Sequence, residues 1–159
     1  MYLGNTKIKG AHLGSTIIKA VYLGAKKVWS FAVPFVLSFT SYPLTKTHGA
    51  GTIQQCETTS SHYYIATKKN SDAIEFGKVQ AKTGDIPVQG CNKVRVEYTT
   101  SDYVYATING NVVNAGVTSG TLVFDVSGES FSFSLQVVES TEYFTGELEI
   151  TKVEFYYED

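Results

Sequence analysis

Residues 122–137 read LVFDVSGESFSFSLQV. Leu122, Phe124 and Val126 alternate with Val123 and Asp125; after Ser127-Gly128-Glu129-Ser130, Phe131, Phe133, Leu135 and Val137 alternate with serines and Gln136. An extended chain sends successive side chains to opposite faces, so this period of two identifies two half-buried β-strands. A loop of four residues sets Val126 opposite Phe131 and places both apolar rows on one side, which predicts an antiparallel hairpin.

The same pattern extends outward in both directions. Strands are predicted at Phe35–Ser41, His62–Lys68, Ala73–Val79, Asn92–Thr99, Tyr103–Ile108, Asn111–Asn114 and Glu147–Tyr157, with Asn109-Gly110 as a two-residue hairpin turn. In the last of these, Leu148 and Ile150 have even parity whereas Val153, Phe155 and Tyr157 have odd parity. One extra residue near Thr151-Lys152, a β-bulge, keeps both sets facing inward. Gly49-Ala50-Gly51 reads as a loop, and no helix longer than a turn is expected. Composition agrees: the apolar mass is Tyr and Phe (11 and 9 residues) with Val and Ile, residue types that suit pleated sheets, and the charged fraction of 18% is low for a globular chain. The expected fold is all-β: a jelly-roll-type antiparallel β-sandwich over residues 49–159, preceded by a connector and first strand at 33–48.

Residues 1–32 are different. Positions 2–31 divide without a gap into YLGNTKIKGA, HLGSTIIKAV and YLGAKKVWSF. Leu-Gly recurs at Leu3-Gly4, Leu13-Gly14 and Leu23-Gly24, and Ile8, Ile18 and Val28 each follow five residues after the leucine. Ten residues with a glycine at that point suit two short strands around a tight turn, so each repeat is expected to be a small hairpin or one β-coil. Alternation in Lys7-Ile8-Lys9 gives each unit a thin apolar face and a basic outer one. A segment this short lies below the roughly 40 residues at which a domain folds unaided. Its apolar residues, Tyr2, Leu3, Ile8, Leu13, Ile18, Tyr22, Leu23, Val28 and Trp29, are therefore expected to pack on sister chains, on the sandwich or on a partner protein. The alternatives are an assembly or docking element and a meander leaning on the sandwich.

Charge is divided between the two parts. Lys7, Lys9, Lys19, Lys26, Lys27 and Lys46 precede Glu57, the first carboxylate of the chain. Dispersed lysines without arginine argue against base readout, which favours bidentate guanidinium groups, and for an acidic protein surface or simple solvation. The most apolar run, Val28 to Phe39, contains Ser30, Pro34 and Ser38 and is too short to span a bilayer. The first residues lack the apolar stretch of a signal peptide, so synthesis in the cytoplasm without signal-directed secretion is expected.

Few residues carry chemistry. Cys56 and Cys91 lack a CxxC pairing and read as buried thiols; the three histidines form no motif with them, and no cofactor or metal is implied. Glu147 and Glu149 lie two apart on one strand face, near the spacing of a glycosidase pair, but nothing around them in sequence suggests a raised acid, and a solvated face explains them. No catalytic residues are expected. The aromatic residues are better candidates, because sugars bind by stacking apolar faces on rings while a few polar groups fix orientation. Tyr103 and Tyr105 share a strand face beside Thr99-Thr100-Ser101-Asp102. A four-residue turn sets Tyr98 against Tyr103 and draws the pair into the core; an odd-length loop leaves them outside. Tyr143, in the polar loop Glu139–Gly146, is a second candidate, and Tyr63-Tyr64 a third, with core packing the stronger alternative for at least one of that adjacent pair.

The Leu-Gly-x-x-x-Ile-Lys units resemble an N-terminal segment of tailed-phage and prophage virion proteins of gut bacteria, where they precede diverse β-rich domains. The resemblance covers about a fifth of the chain. It implies a fibre, baseplate or head-decoration protein located in the virion, often homotrimeric, that contacts other virion proteins through residues 1–32. The sandwich resembles jelly-roll modules that bind carbohydrate, which implies a host-surface glycan as ligand. A purely structural decoration or adaptor protein is the alternative.

Overall fold

In a computed structural model, residues 32–102, 104–113 and 118–158 are described in full; within 1–31 only the backbone of six short strands is described. These are β1 (Tyr2–Leu3), β2 (Thr6–Lys7), β3 (His12–Leu13), β4 (Thr16–Ile17), β5 (Ala20–Leu23) and β6 (Lys26–Ser30). They pair as three separate antiparallel hairpins, with Leu3 opposite Thr6, Leu13 opposite Thr16 and Leu23 opposite Lys26. The decapeptide period thus emerges as one hairpin per repeat rather than a β-coil. Ile8 and Ile18 lie outside the described residues.

The rest of the chain forms β7 (Phe35–Val36), a 3-10 turn (Phe39–Ser41), β8 (Thr45–Ala50), β9 (Ile53–Thr58), β10 (Tyr63–Lys68), β11 (Gly77–Lys82), β12 (Ile86–Pro87), β13 (Lys93–Thr100), β14 (Tyr105–Ile108), β15 (Asn111–Val112), β16 (Ser119–Asp125), β17 (Ser130–Phe131), β18 (Ser134–Glu139) and β19 (Gly146–Tyr156). One sheet runs β16-β13-β19-β10-β9, with β7 on the end of β19; the other runs β15-β14-β18-β11-β8. Every pairing is antiparallel, and the core between the sheets makes the unit a β-sandwich. Connections such as β8 to β9, β10 to β11 and β18 to β19 cross from sheet to sheet, as in a jelly roll. No helix among the described residues is long and apolar enough to cross a membrane.

The alternating positions fill the core as expected: Val94, Val96, Leu135, Val137, Leu148 and Ile150 are buried, as are Val153 and Phe155 beyond the change of phase. Glu97 pairs with Lys152 and Tyr98 with Ile150, which leaves Thr151 as the extra residue of a bulge where parity demanded one. Aromatic rings run through the core from Phe39 to Tyr63, Phe133, Phe131, Phe155 and Phe35, with centroids 4.6–6.2 Å apart. Asn109 and Gly110 both take positive φ, joining β14 to β15 in the predicted two-residue turn.

Several expectations are corrected. Residues 122–137 are not a hairpin: β16 pairs with β13 in one sheet, whereas β18 pairs with β14 and β11 in the other. The intervening loop is bound elsewhere, with Phe131 opposite Ile86 and the Val88 N–H donating to the Glu129 carbonyl. Both apolar rows still face one core, because facing sheets of a sandwich share it. Tyr98 pairs with Gly120 and Ile150 within its own sheet, and Tyr103, its expected partner, lies outside the described residues. The strand placed at Ala73–Val79 runs instead over Gly77–Lys82. Phe35–Ser41 contributes two strand residues before the chain tightens into the 3-10 turn. Gly49 and Ala50 belong to a strand, and Asn111–Asn114 shortens to Asn111–Val112, with Asn114 outside the described residues. Tyr157 lies past the last strand and is exposed.

Candidate functional site

Each sheet turns one face to solvent, and the two faces differ in chemistry. On the first sheet, register places charged residues side by side: Lys93 pairs with Asp125, Arg95 with Glu154 and Lys152 with Glu97. Arg95 also covers the Tyr156 ring at 4.8 Å. Glu147 and Glu149 end this ladder. Glu147 accepts a 2.8 Å hydrogen bond from the Tyr64 hydroxyl, and Glu149 lies 3.3 Å from His62 Nδ1 and accepts from Thr99. Burial pushes the Tyr64 hydroxyl well above the usual phenol range, and its bond to the Glu147 carboxylate adds to the effect. Both carboxylates are thus engaged by neighbours on a half-solvated strand face.

The second sheet has a face of another kind. Residues pointing away from the core form two rows across the strands. One row is Tyr105, Val138, Lys78 and Ala50; the other is Val112, Thr107, Gln136, Gln80 and His48. Neighbouring strands lie about 4.8 Å apart, so the first row extends about 14 Å. Tyr105 is 48% exposed at one end of it. At the other end the loop between β10 and β11 brings Ile74 and Phe76, 97% and 59% exposed, over an open cleft of about 400 Å³ lined by His48, Ala50, Glu75, Lys78 and Val138. In the second row the Gln80 amide donates to Gln136 Oε1 at 2.8 Å. Lys78, half-buried in the cleft lining, makes no ion pair among the described residues. An aromatic ring, an apolar cleft and a few polar groups thus lie on adjoining strands of one face, the mix of surfaces from which ligand sites are built.

Of the tyrosines singled out in sequence, Tyr105 belongs to this face. Tyr143, 77% exposed, lies in the loop that leaves β18 at the same end of the sandwich, next to exposed Phe144. Tyr103 lies outside the described residues. Tyr63 is core and Tyr64 belongs to the other face. The assembly residues Tyr2, Leu3, Leu13, Tyr22, Leu23, Val28 and Trp29 fall on strands described only by their backbone. Sequence reading missed Phe76, Lys78 and Gln80, although Lys78-Val79-Gln80-Ala81-Lys82 alternates cleanly; ending that strand at Val79 hid the pattern. Gln136 was legible as outward-facing between Leu135 and Val137. Among the described residues no group of three or more His, Cys, Asp or Glu is placed to hold a metal ion. Burial raises the pKa of both cysteines, and both remain free thiols; Cys91 is buried as expected, whereas Cys56 is only partly so.

No protein-family model matches the chain, and no curated protein matches it. Among solved structures it is similar to the low-affinity xylan binding module CBM86 from the gut symbiont Roseburia intestinalis, at 12% identity and a TM-score of 0.42, over 79% of this chain and 96% of that one. It is also similar to a mutant of the family 29 carbohydrate binding module CBM29-2, at 13% identity and a TM-score of 0.40, over 78% and 91%. Another mutant of that module, complexed with cellulohexaose, matches at 9% identity and a TM-score of 0.38, over 77% of this chain and 90% of that one.

Proposed function

We propose that this chain is a virion appendage protein of a tailed phage, docked or oligomerised through its N-terminal hairpins and binding a glycan on the solvent face of its second sheet. The observation that carries the glycan reading is the pairing of exposed rings with a cleft: Tyr105 and Phe76 lie at opposite ends of a row whose floor is Val138, Ala50 and the stem of Lys78. Pyranose rings present an apolar face to such a surface and hydroxyls to the amide row beside it. The virion assignment rests on the three Leu-Gly hairpins, whose ten-residue period supports a docking or assembly element.

Binding of the full chain to an oligosaccharide array, followed by calorimetry on the hits, tests the glycan reading. Tyr105→Ala is expected to weaken binding at least about fivefold, the loss of roughly 1 kcal/mol that marks a contributing interface residue, with an unchanged melting temperature. A chain that binds no glycan but does bind other virion proteins through Ile74 and Phe76 would establish the adaptor role instead.

A further inference from the structure

We infer that Asn109 is a latent deamidation site, held silent by the fold and released when the β14–β15 hairpin opens. Asn109-Gly110 is the only Asn-Gly step of the chain. Glycine after asparagine presents the least hindered backbone nitrogen, so this step is the one most ready to react in an unfolded chain. In that reaction the Gly110 nitrogen loses its proton and attacks Asn109 Cγ. The new C–N bond closes a five-membered succinimide, and the side-chain nitrogen leaves as ammonia. Water then opens the ring at either carbonyl, giving aspartate or, with the main chain rerouted through the side chain, isoaspartate.

Two features of the fold oppose ring closure. The first is the backbone: the five-membered ring requires the Gly110 nitrogen to eclipse Cβ about the Cα–C bond of Asn109. Asn109 has a φ of 49°. The left-handed conformation pairs such a φ with a ψ of about +47°, which turns the Gly110 nitrogen nearly opposite to Cβ. The second is the side chain. The Ser134 N–H donates to Asn109 Oδ1 at 2.6 Å, and Asn109 Nδ2 donates to the Ser132 carbonyl at 3.1 Å. A donor meets the oxygen and an acceptor meets the nitrogen, so these partners leave the amide a single orientation. The Asn109 N–H also donates to the Ser134 carbonyl at 2.8 Å. Three bonds therefore clamp the turn to the start of β18, and the ring cannot form until the turn leaves it.

Once the reaction has occurred, the hairpin cannot return to its former state. In aspartate a carboxylate oxygen replaces the donor that faced the Ser132 carbonyl. Isoaspartate adds a backbone carbon to a two-residue turn whose register sets Thr107 against Val112 and Ile108 against Asn111. Both products record an opening at the edge of the sheet where Thr107 and Val112 begin one row of the candidate face.

Peptide mapping by mass spectrometry of the full chain, incubated in mildly alkaline buffer with and without denaturant, tests this. Where opening is fast, the folded chain reacts in proportion to its open population. Conversion of Asn109 is expected to be at least about tenfold slower in the folded chain than in the unfolded one, corresponding to an opening of about 1.4 kcal/mol or more. In urea below the unfolding transition, conversion should accelerate in step with hydrogen exchange of the Ser134 N–H, which the Asn109 side chain protects. Val113 is buried just beyond β15 and donates to the Ala106 carbonyl, so Val113→Ala should speed conversion in the folded chain and leave the unfolded rate unchanged. If that variant does not fold, the urea series decides alone. Equal rates in the folded and unfolded chain would overturn the clamp, and conversion that ignores Ser134 exchange would overturn its gating by the hairpin. No conversion in the unfolded chain would overturn the site itself.

Discussion

At the scale of single residues, the core uses polar atoms where their hydrogen bonds are complete. Tyr63 is fully buried among Phe39 and Phe133, yet its hydroxyl donates to the Tyr42 carbonyl. Tyr63→Phe leaves that carbonyl without its donor and is expected to cost about 1 kcal/mol, read as a lower denaturation midpoint at unchanged slope. Burial holds the Tyr63 hydroxyl well above the usual phenol range, and burial with the Glu147 bond does the same for Tyr64. A raised pKa means that the folded chain keeps a proton the unfolded chain releases. The stabilisation is therefore complete below the ordinary phenol pKa of about 10 and is lost as pH rises beyond it. Alkaline denaturation should set in above about pH 10, and removing both phenols should flatten that limb. An unchanged slope in Y63F/Y64F would refute this account. For Tyr63-Tyr64 the sequence favoured core packing for at least one of the pair; which tyrosine was core depended on the parity of a whole strand.

Elements are joined by features whose local geometry is tightly constrained. Gly51 takes a φ of 111° where the chain leaves β8, and a Cβ there would stand 2.1 Å from the Lys68 carbonyl oxygen. Gly51→Ala is expected to destabilise the fold by roughly 1–3 kcal/mol, measurable by thermal unfolding. The bulge at Thr151 is the second such feature. Deleting Thr151 moves either Leu148 and Ile150 or Val153 and Phe155 to the solvent face, and a cooperative unfolding transition should disappear. The bulge was readable because two apolar sets of opposite parity cannot both face inward on a regular strand. The 122–137 pairing was not readable, because alternation reports which face is buried and says nothing about the strand alongside. A hairpin and a crossover satisfy the same pattern; the ladder with β13 and the contact of Phe131 with Ile86 decide between them.

For the whole molecule, basic repeats are separated in sequence from an acidic remainder, and the proposed docking role of the repeats can be tested apart from the sandwich. Replacing Leu3, Leu13 and Leu23 by Ser is expected to lower the mass of the full chain in solution, from oligomer to monomer by light scattering, or to abolish docking on virion proteins. The same triple variant should retain the melting transition of the sandwich, whose described core runs from Leu37 to Phe155. Unchanged mass and unchanged docking would leave the repeats as a meander. The candidate face is a whole-molecule property in the same sense, since Tyr105, Phe76, Gln80 and Gln136 come from three strands and a loop spread over sixty positions of sequence.

What the sequence determined by itself was periodic: an all-β chain, the inward parity of its core, the bulge, the Asn109-Gly110 turn and three ten-residue repeats. These follow from local stereochemistry, because side-chain direction and turn conformation depend on a few adjacent residues. Strand partners, the two-sheet crossing of the chain and the assembly of Tyr105, Lys78, Gln80 and Gln136 on one face were decided only by tertiary structure. Those features depend on which distant segments supply hydrogen bonds and apolar cover to each other, a choice made by the free energy of the whole core.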